Sequence, residues 1–492
     1  MSQSAMKTPE NSTSFVKLVT KLMLYFIIFS FITFIGYSFK VIHPAHLQNL
    51  RVELPISSHR FAVSKTETQL QNSKIEEETQ LHHIVFGIAA SANLWENRKN
   101  YIKLWWKPEQ MRGFVWLDKT VSTDIEDQNS LPQLKISTDT SKFGYTNKKG
   151  DRSALRLSRI VSETVRIGLN DVRWIVLGDD DTFFVPDNLL KVLSKYDHNQ
   201  FYYIGSTSES HLQNIRFSYS MAYGGGGFAI SYPLAKALEK MQDRCMMRYP
   251  ELYGSDDRIQ ACMAELGVPL TKEIGFHQFD LFGNVFGLLA AHPVTPLVSL
   301  HHLDVIQPIF PYVNQIQALK RLKLPINLDA AALMQQSICY DKNKRWTISV
   351  SWGYAVQIIR GILSPREMEM PVRTFLNWYR KVDETAFTFN TRSLHKNNCQ
   401  RPFVYTLADA LYNPLSNETT TEYAYYRNQN YKCAWKMDDP SYIRRVEVLK
   451  KPDPSLWDKG RRRNCCRVLG SKKKDTMVVE VGECREGEIV EV

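Results

Sequence analysis

The sequence predicts an α/β fold on three observations. Trp174-Ile175-Val176-Leu177 is a short aromatic and β-branched run, the composition of a buried central strand. Just before it, over 154–168, Leu157, Ile160, Val161, Thr164 and Val165 fall on one helical stripe. Strand-like and helix-like stretches alternate around these two, as in a layered α/β domain.

Taken in order, residues 1–13 are polar, and 22–39 (LMLYFIIFSFITFIGYSF) is uncharged and mostly apolar. With a partial extension through 15–20, that run is just long enough to span a bilayer. It leads into Lys40, Val41 and Ile42 rather than a small-residue cleavage site, so an uncleaved anchor is expected. Lys7, Lys17 and Lys21 precede it, which puts 1–21 in the cytosol and the bulk of the chain in a lumen or outside. Residues 40–80 are polar and aperiodic and read as a stem. Strands are expected over 83–89 and 114–117, with a helix over 96–106 between them. These lead through the 154–168 helix into the strand at 174, as in a nucleotide-binding α/β domain.

That strand ends in Gly178 and three carboxylates, Asp179, Asp180 and Asp181. Adjacent acids repel unless something positive sits among them, and a hard cation, Mg²⁺ or Mn²⁺, suits oxygen ligands. Ligands of open α/β sheets collect at this end of a strand. The alternative is a solvated acidic turn. Pro186 and Asp187 open a helix that runs to Tyr196, and 202–205 is another strand. Gly224 to Gly227 then precede Phe228-Ala229-Ile230; Gly225, Gly226 and Gly227 let backbone approach a ligand closely, or form a flexible turn. Ile259, Cys262, Met263 and Leu266 mark one face of a helix ending at Gly267, with Asp256 and Asp257 at its start. An acid there caps the helix, or stays ionised as a general base must. Leu297 to Leu300 runs into His301-His302-Leu303-Asp304, a histidine pair beside an acid.

The chain has 492 residues and a net charge of +11, which favours anionic ligands such as nucleotides or headgroups. No long basic stretch with interleaved aromatics suggests a nucleic-acid surface. Residues 330–492 contain strand-like runs at 346–356 and 403–407 and read as a β-rich appendage, with Asn417-Glu418-Thr419 a glycosylation sequon. Lys450-Lys451, Arg461 to Arg463 and Lys472 to Lys474 read as solvated basic surface. The eight cysteines lack metal-site spacing and all follow the apolar span, so disulfides in an oxidising lumen are expected. Cys245 and Cys262 flank the loop that carries Asp256. They are expected to be bridged, the alternative being a Cys262 simply buried on its helix stripe.

In order, WIVLGDDDTFF, YGGGGFAIS, YGSDDRIQACMAELGV and VSLHHLD resemble the fringe-related branch of glycosyltransferase family 31. Among these β-1,3-glycosyltransferases the set most resembles the plant fringe-like proteins described as a domain of unknown function. The resemblance covers residues 81–315 and continues into the C-terminal part. It implies a GT-A-type nucleotide-sugar-binding domain, a UDP-sugar donor, Mn²⁺ (or Mg²⁺), a glycan or glycoconjugate acceptor and inversion at the anomeric carbon. It further implies a type II protein of the Golgi membrane with its catalytic domain in the lumen. Carried over by motif, Asp179 and Asp180 contact the donor, and Asp179, Asp181 and His302 hold the metal. Counting back from Cys262 and Leu266 selects Asp256 as base. Ser255-Asp256-Asp257 stands where the family often has Glu-Asp, so Asp257 remains the alternative. The competing function is a catalytically inactive, glycan-binding or scaffolding relative.

Overall fold

The computed structural model describes residues 12–42, 78–426, 433–434 and 437–490, with side chains of the first helix described over 20–35. The chain divides into two compact units, Met1–Lys74 and Ile75–Val492. In the first, a helix spans Ser12–Ile42, and its described side chains are mostly apolar and exposed, Phe26 and Phe34 among them. Among the described residues no helix is long and apolar enough to cross a membrane. The anchor expected over 22–39 lies partly outside the described side chains, which run over 20–35. The expected tail and stem lie mostly outside the described residues.

The second unit is mixed α/β. Its first half contains β1 (Ile84–Ala89), β2 (Arg112–Leu117), β3 (Gln133–Ile136), β4 (Trp174–Asp179), β5 (Phe183–Phe184), β6 (Tyr203–Gly205), β7 (Phe228–Ser231), β8 (Leu270–Lys272), β9 (Phe276–His277), β10 (Leu281–Gly283) and β11 (Ser299–Leu300). The main sheet has the order β3-β2-β1-β4-β7-β6-β8. β1 to β4 are parallel, and β7 lies antiparallel between β4 and β6. The chain steps outward from β1 to β3, then returns to the other side of β1 as β4. Such a reversal opens a crevice at the carboxyl ends of the two central strands. Alternation along β4 sends Trp174 and Val176 into one apolar core and Ile175 and Leu177 into another. The second core is closed by the helices Tyr232–Arg248 and Asp256–Glu265, which a Cys245–Cys262 disulfide joins at a Cα separation of 5.8 Å.

The C-terminal half contains β12 (Gln336–Asp341), β13 (Trp346–Ser351), β14 (Ala355–Arg360), β15 (Phe375–Asn377), β16 (Phe403–Asn413), β17 (Glu418–Tyr425), β18 (Arg445–Lys450), β19 (Cys465–Leu469) and β20 (Thr476–Gly482). The strand expected over 346–356 is instead a hairpin, broken at Trp352–Tyr354 where Gly353 has φ +73°. Eight strands form one sheet with β12 and β19 at its edges, and Cys339–Cys466 bridges those two edges. The sheet therefore curls until its edges meet, which protects both from stray pairing. Cys399–Cys433 and Cys465–Cys484 complete the pairing of all eight cysteines.

This sheet is not loosely appended. One continuous core holds Trp174 and Phe184 of the first half with Trp352, Tyr423 and Val479 of the second. Lys450 makes a buried ion pair with Asp329, at the end of the helix Gln315–Asp329. Part of the basic cluster expected to be solvated fastens the halves instead: Arg461 meets the buried Glu273 at 2.8 Å. A buried carboxylate needs such partners.

Replacing Cys245 and Cys262 together by serine should cost about 3 kcal/mol, because the bridge closes a seventeen-residue loop. Equilibrium unfolding in denaturant measures the loss. An unchanged midpoint would show that the bridge contributes nothing to stability.

Candidate functional site

The site follows from the register of a small second sheet, β5-β11-β9. β11 runs antiparallel to β5, with Leu300 opposite Phe183, so the next residue, His301, comes alongside the acidic turn that precedes β5. β11 runs parallel to β9, with Leu300 beside His277, so His301 lies beside Gln278. The His301 Nε2 atom is 3.3 Å from Asp181 Oδ1 and 3.5 Å from Asp179 Oδ2. Its Nδ1 faces the Gln278 carbonyl oxygen at 3.3 Å. A carbonyl only accepts, so Nδ1 carries a proton and Nε2 is the atom offered to the acids.

Asp180 and Asp181 are buried, whereas Asp179 is half-exposed. Arg98, from the helix Trp95–Trp105, serves both buried acids: Nη1 donates to Asp180 at 2.8 Å and to Asp181 at 3.3 Å. Its Nε donates to Asp304 at 2.9 Å, and Tyr101 Oη donates to the same carboxylate at 2.7 Å. Burial pushes the Asp180 carboxyl up to about 7 against the pull of Arg98. Burial would raise Asp181 too, but the charge and hydrogen bond of His301, with Arg98, hold it well below the usual carboxylate range. His301 is buried, which disfavours its charge, yet Asp181 and Asp179 raise its pKa well above the ordinary histidine value. His301 and Asp181 thus favour each other's charged forms.

The glycine run lies between this cluster and the helix Asp256–Glu265. Thr182 Oγ1 donates to the Gly225 carbonyl at 2.7 Å, and Ser299 Oγ donates to that of Gly226. A Cβ on Gly225 would lie 2.0 Å from the His301 ring, and one on Gly224 would lie 2.5 Å from Asp256 Oδ1. Glycine is required here by contact on both sides. Gly226 and Gly227 are held the same way, against the Gln278 backbone and the Phe184 ring. The run expected near a ligand is thus a packed spacer between His301 and Asp256.

The two acids of the helix start differ. Asp256 Oδ2 accepts from Gly224 N–H at 2.9 Å, and Oδ1 accepts from Ser255 Oγ at 3.0 Å. Burial pushes its carboxyl up to about 7, with Asp179 adding to the rise. Asp257 spends both oxygens on its own turn, accepting from Tyr253 N–H at 2.8 Å and Gly254 N–H at 2.9 Å.

His302, expected as metal ligand, does not join the cluster. Its φ of +52° turns it out of line with β11, so its Nδ1 faces Asp280 at 3.2 Å and its ring stacks on Trp378 at 4.8 Å. His301 stands where the motif placed His302. Sequence reading also passed over Arg98, although a signal existed: it interrupts the buried stripe Trp95, Ile102, Trp105, and a cation there demands an acidic partner. Within this site, Asp179, Asp181 and His301 could hold a divalent cation: one atom from each lies within 4.8 Å of the others. Two carboxylate oxygens and an imidazole whose far nitrogen is bound to a carbonyl make a donor set suited to Mn²⁺ or Mg²⁺.

Residues 79–286 match the family model described as Fringe-like, and 213–466 match the one described as Protein of unknown function, DUF604, a span of more than half the chain. The chain is 27% identical over 151 residues to the Beta-1,3-glucosyltransferase of Homo sapiens, covering 31% of this chain and 28% of that protein. It is 32% identical over 109 residues to that of Mus musculus, covering 22% and 21%. The chain thus spans less than a third of the length of the curated relatives it matches. The solved structure of mouse xyloside xylosyltransferase 1, apo form, covers 37% of this chain and 82% of its own, at a TM-score of 0.24 and 8% identity, too weak a likeness to carry an argument.

His301→Ala should weaken Mn²⁺ binding by about tenfold or more, as loss of a ligand does, while His302→Ala should leave it nearly unchanged. Titration calorimetry of Mn²⁺ into each full-length variant separates them, and the reverse order would restore the motif assignment.

Proposed function

This chain belongs to the DUF604 family of fringe-related glycosyltransferases, and on that premise we propose that it transfers a hexose from a UDP-sugar to a hydroxyl of a glycan or glycoconjugate. The displacement is single and inverting, and the new bond is β-1,3, as the name of the similar human and mouse proteins suggests. The observation that carries the reading is the dipeptide Gly224-Gly225, which touches Asp256 on one side and His301 of the acidic cluster on the other. One base and one anion-handling cluster thus flank a single turn of backbone. The fold is GT-A-type in this reading, with the donor in the crevice at the ends of β1 and β4.

Asp256 is the base. The Gly224 N–H and the Ser255 hydroxyl fix its carboxylate, and its raised pKa suits a group that must take a proton near neutrality. The acceptor hydroxyl gives its proton to Asp256 as its oxygen bonds to the anomeric carbon, and the bond from that carbon to the UDP oxygen breaks on the opposite face. A divalent cation held by Asp179, Asp181 and His301 supplies charge neutralisation to the diphosphate leaving group. Arg98 keeps Asp180 and Asp181 from repelling each other apart. A hydrolase would need two working carboxylates around the sugar, whereas Asp257 is committed to its turn. We place the protein in the Golgi membrane, single-pass and type II. Eight paired cysteines and the exposed Asn417 sequon, on the turn between β16 and β17, support a luminal catalytic unit.

The full-length protein in detergent should bind or slowly hydrolyse at least one member of a UDP-sugar panel in the presence of Mn²⁺. Neither outcome across the panel would leave the inactive, glycan-binding relative as the better reading.

Asp256→Asn should keep donor binding and lower transfer by about 10²-fold or more, while Asp257→Asn should cost far less. A base must be deprotonated, so transfer should fall as pH drops through the Asp256 value of about 7, or somewhat lower once a cation offsets Asp179. A break near 3.8, the ordinary aspartate value, would place the base elsewhere.

A further inference from the structure

A second large concavity lies away from Asp179, Asp181, Asp256 and His301, none of which lines it. It has a volume of about 1320 Å³, walled by β14 and β16, the turn 284–287 and the segment 307–314. That exceeds the roughly 300–1,000 Å³ of ordinary small-ligand pockets. Three stretches of chain connect it to the acidic cluster. Residues 302–307 run from His302 to the wall residue Gln307. β10 leads from the strand beside the glycine run to Asn284. The segment 372–378 sends Thr374 to the Asn284 carbonyl at 2.7 Å and Trp378 onto His302.

Two features of the wall call for a ligand. Gln357, in mid-β14, is 5% exposed and lines the cavity, and its side-chain amide has no hydrogen-bond partner among the described residues. Its neighbours Val356 and Ile358 point into the core, so Gln357 lies on the other face of the strand and offers two donors and an acceptor to the cavity. At the mouth, Tyr312 is 83% exposed and holds φ +60°, a conformation that costs energy in a bulky residue. Its ring pairs with that of Tyr426 at 5.3 Å, which offers an open aromatic face. Aromatic faces take the C–H side of a pyranose, and planar amides take its paired hydroxyls. A peptide adding as a strand would need unpaired backbone, but β14 is bonded on both sides, to β13 and β16.

We propose that this cavity binds an extended oligosaccharide, holding sugar units of the acceptor beyond the one that reacts. Naming the ligand an acceptor rests on the glycosyltransferase reading above; binding of the oligosaccharide does not. At about 1320 Å³ the cavity has room for more than one sugar, so affinity rises with chain length until its walls are filled.

The test uses full-length protein in detergent on an array of β-1,3- and β-1,4-linked gluco- and galacto-oligosaccharides, from disaccharides to octasaccharides. Retention should grow with length. Tyr312→Gly and Gln357→Leu should each lower it by about tenfold or more, without changing UDP binding in Mn²⁺. Glycine relieves the strained φ, so Tyr312→Gly should unfold at the same or a higher temperature, which separates lost binding from lost folding. Asp181→Ala should do the opposite, losing UDP binding and keeping the oligosaccharide. No retention by the wild type, or equal retention by both cavity variants, overturns the proposal. Oligosaccharide binding without UDP binding would sink the transferase reading and leave this site standing.

Discussion

Three consecutive carboxylates at the end of a buried strand are the constraint around which this molecule is built. Two of them are almost fully buried, and such charge cannot stay without positive partners. Arg98 and His301 supply them from distant parts of the chain, one from a helix after β1 and the other from the end of a strand that follows β4 by some 120 residues. Bringing His301 in requires β11 to pair with β5, and steadying its ring requires β9 on the other side. The small three-stranded sheet therefore exists to satisfy an electrostatic demand that the central strand creates.

The same demand explains the glycines. With His301 pressed toward the acids, the chain entering β7 has room for no side chain at Gly225, and Asp256 excludes one at Gly224. A run that reads as flexible in the sequence is among the most tightly held backbone in the site, with its carbonyls and amides bound by Thr182, Ser299, Gln278 and Asp256. Rigid backbone at this point fixes the spacing between Asp256 and the acidic cluster.

Local signals made much of this legible. The strand at 174–177, the acids after it, the glycine run and the stripe of the helix Asp256–Glu265 are all short-range patterns, and each is found where the pattern put it. What stayed hidden depends on pairing between distant segments. Whether His301 or His302 faces the acids is decided by one residue of register, and a motif cannot show that a left-handed φ turns the second histidine away. The helix Tyr232–Arg248 has Pro233 in its first turn and polar residues throughout, so its buried face, Leu234, Leu238, Gln242 and Cys245, shows a weak stripe. The hairpin at 346–360 was hidden because both strands, WTISVS and AVQIIR, are strand-like and only Gly353 marks the turn.

The C-terminal sheet matters to the site for a physical reason. Its core is continuous with that of the first half, and the DUF604 match begins at residue 213, well inside the span matched as Fringe-like. β15 pairs with β10, and the residue that follows β15, Trp378, covers His302. Thr388 N–H donates to the Glu209 carbonyl, and Glu209 in turn holds His277 of β9 at 2.9 Å. β9 is the strand that steadies His301. Support for the acidic cluster therefore passes through the C-terminal residues, and the first half would lose part of its inner packing without them. Sheet and site are one folding problem, and the second cavity lies where the two halves meet.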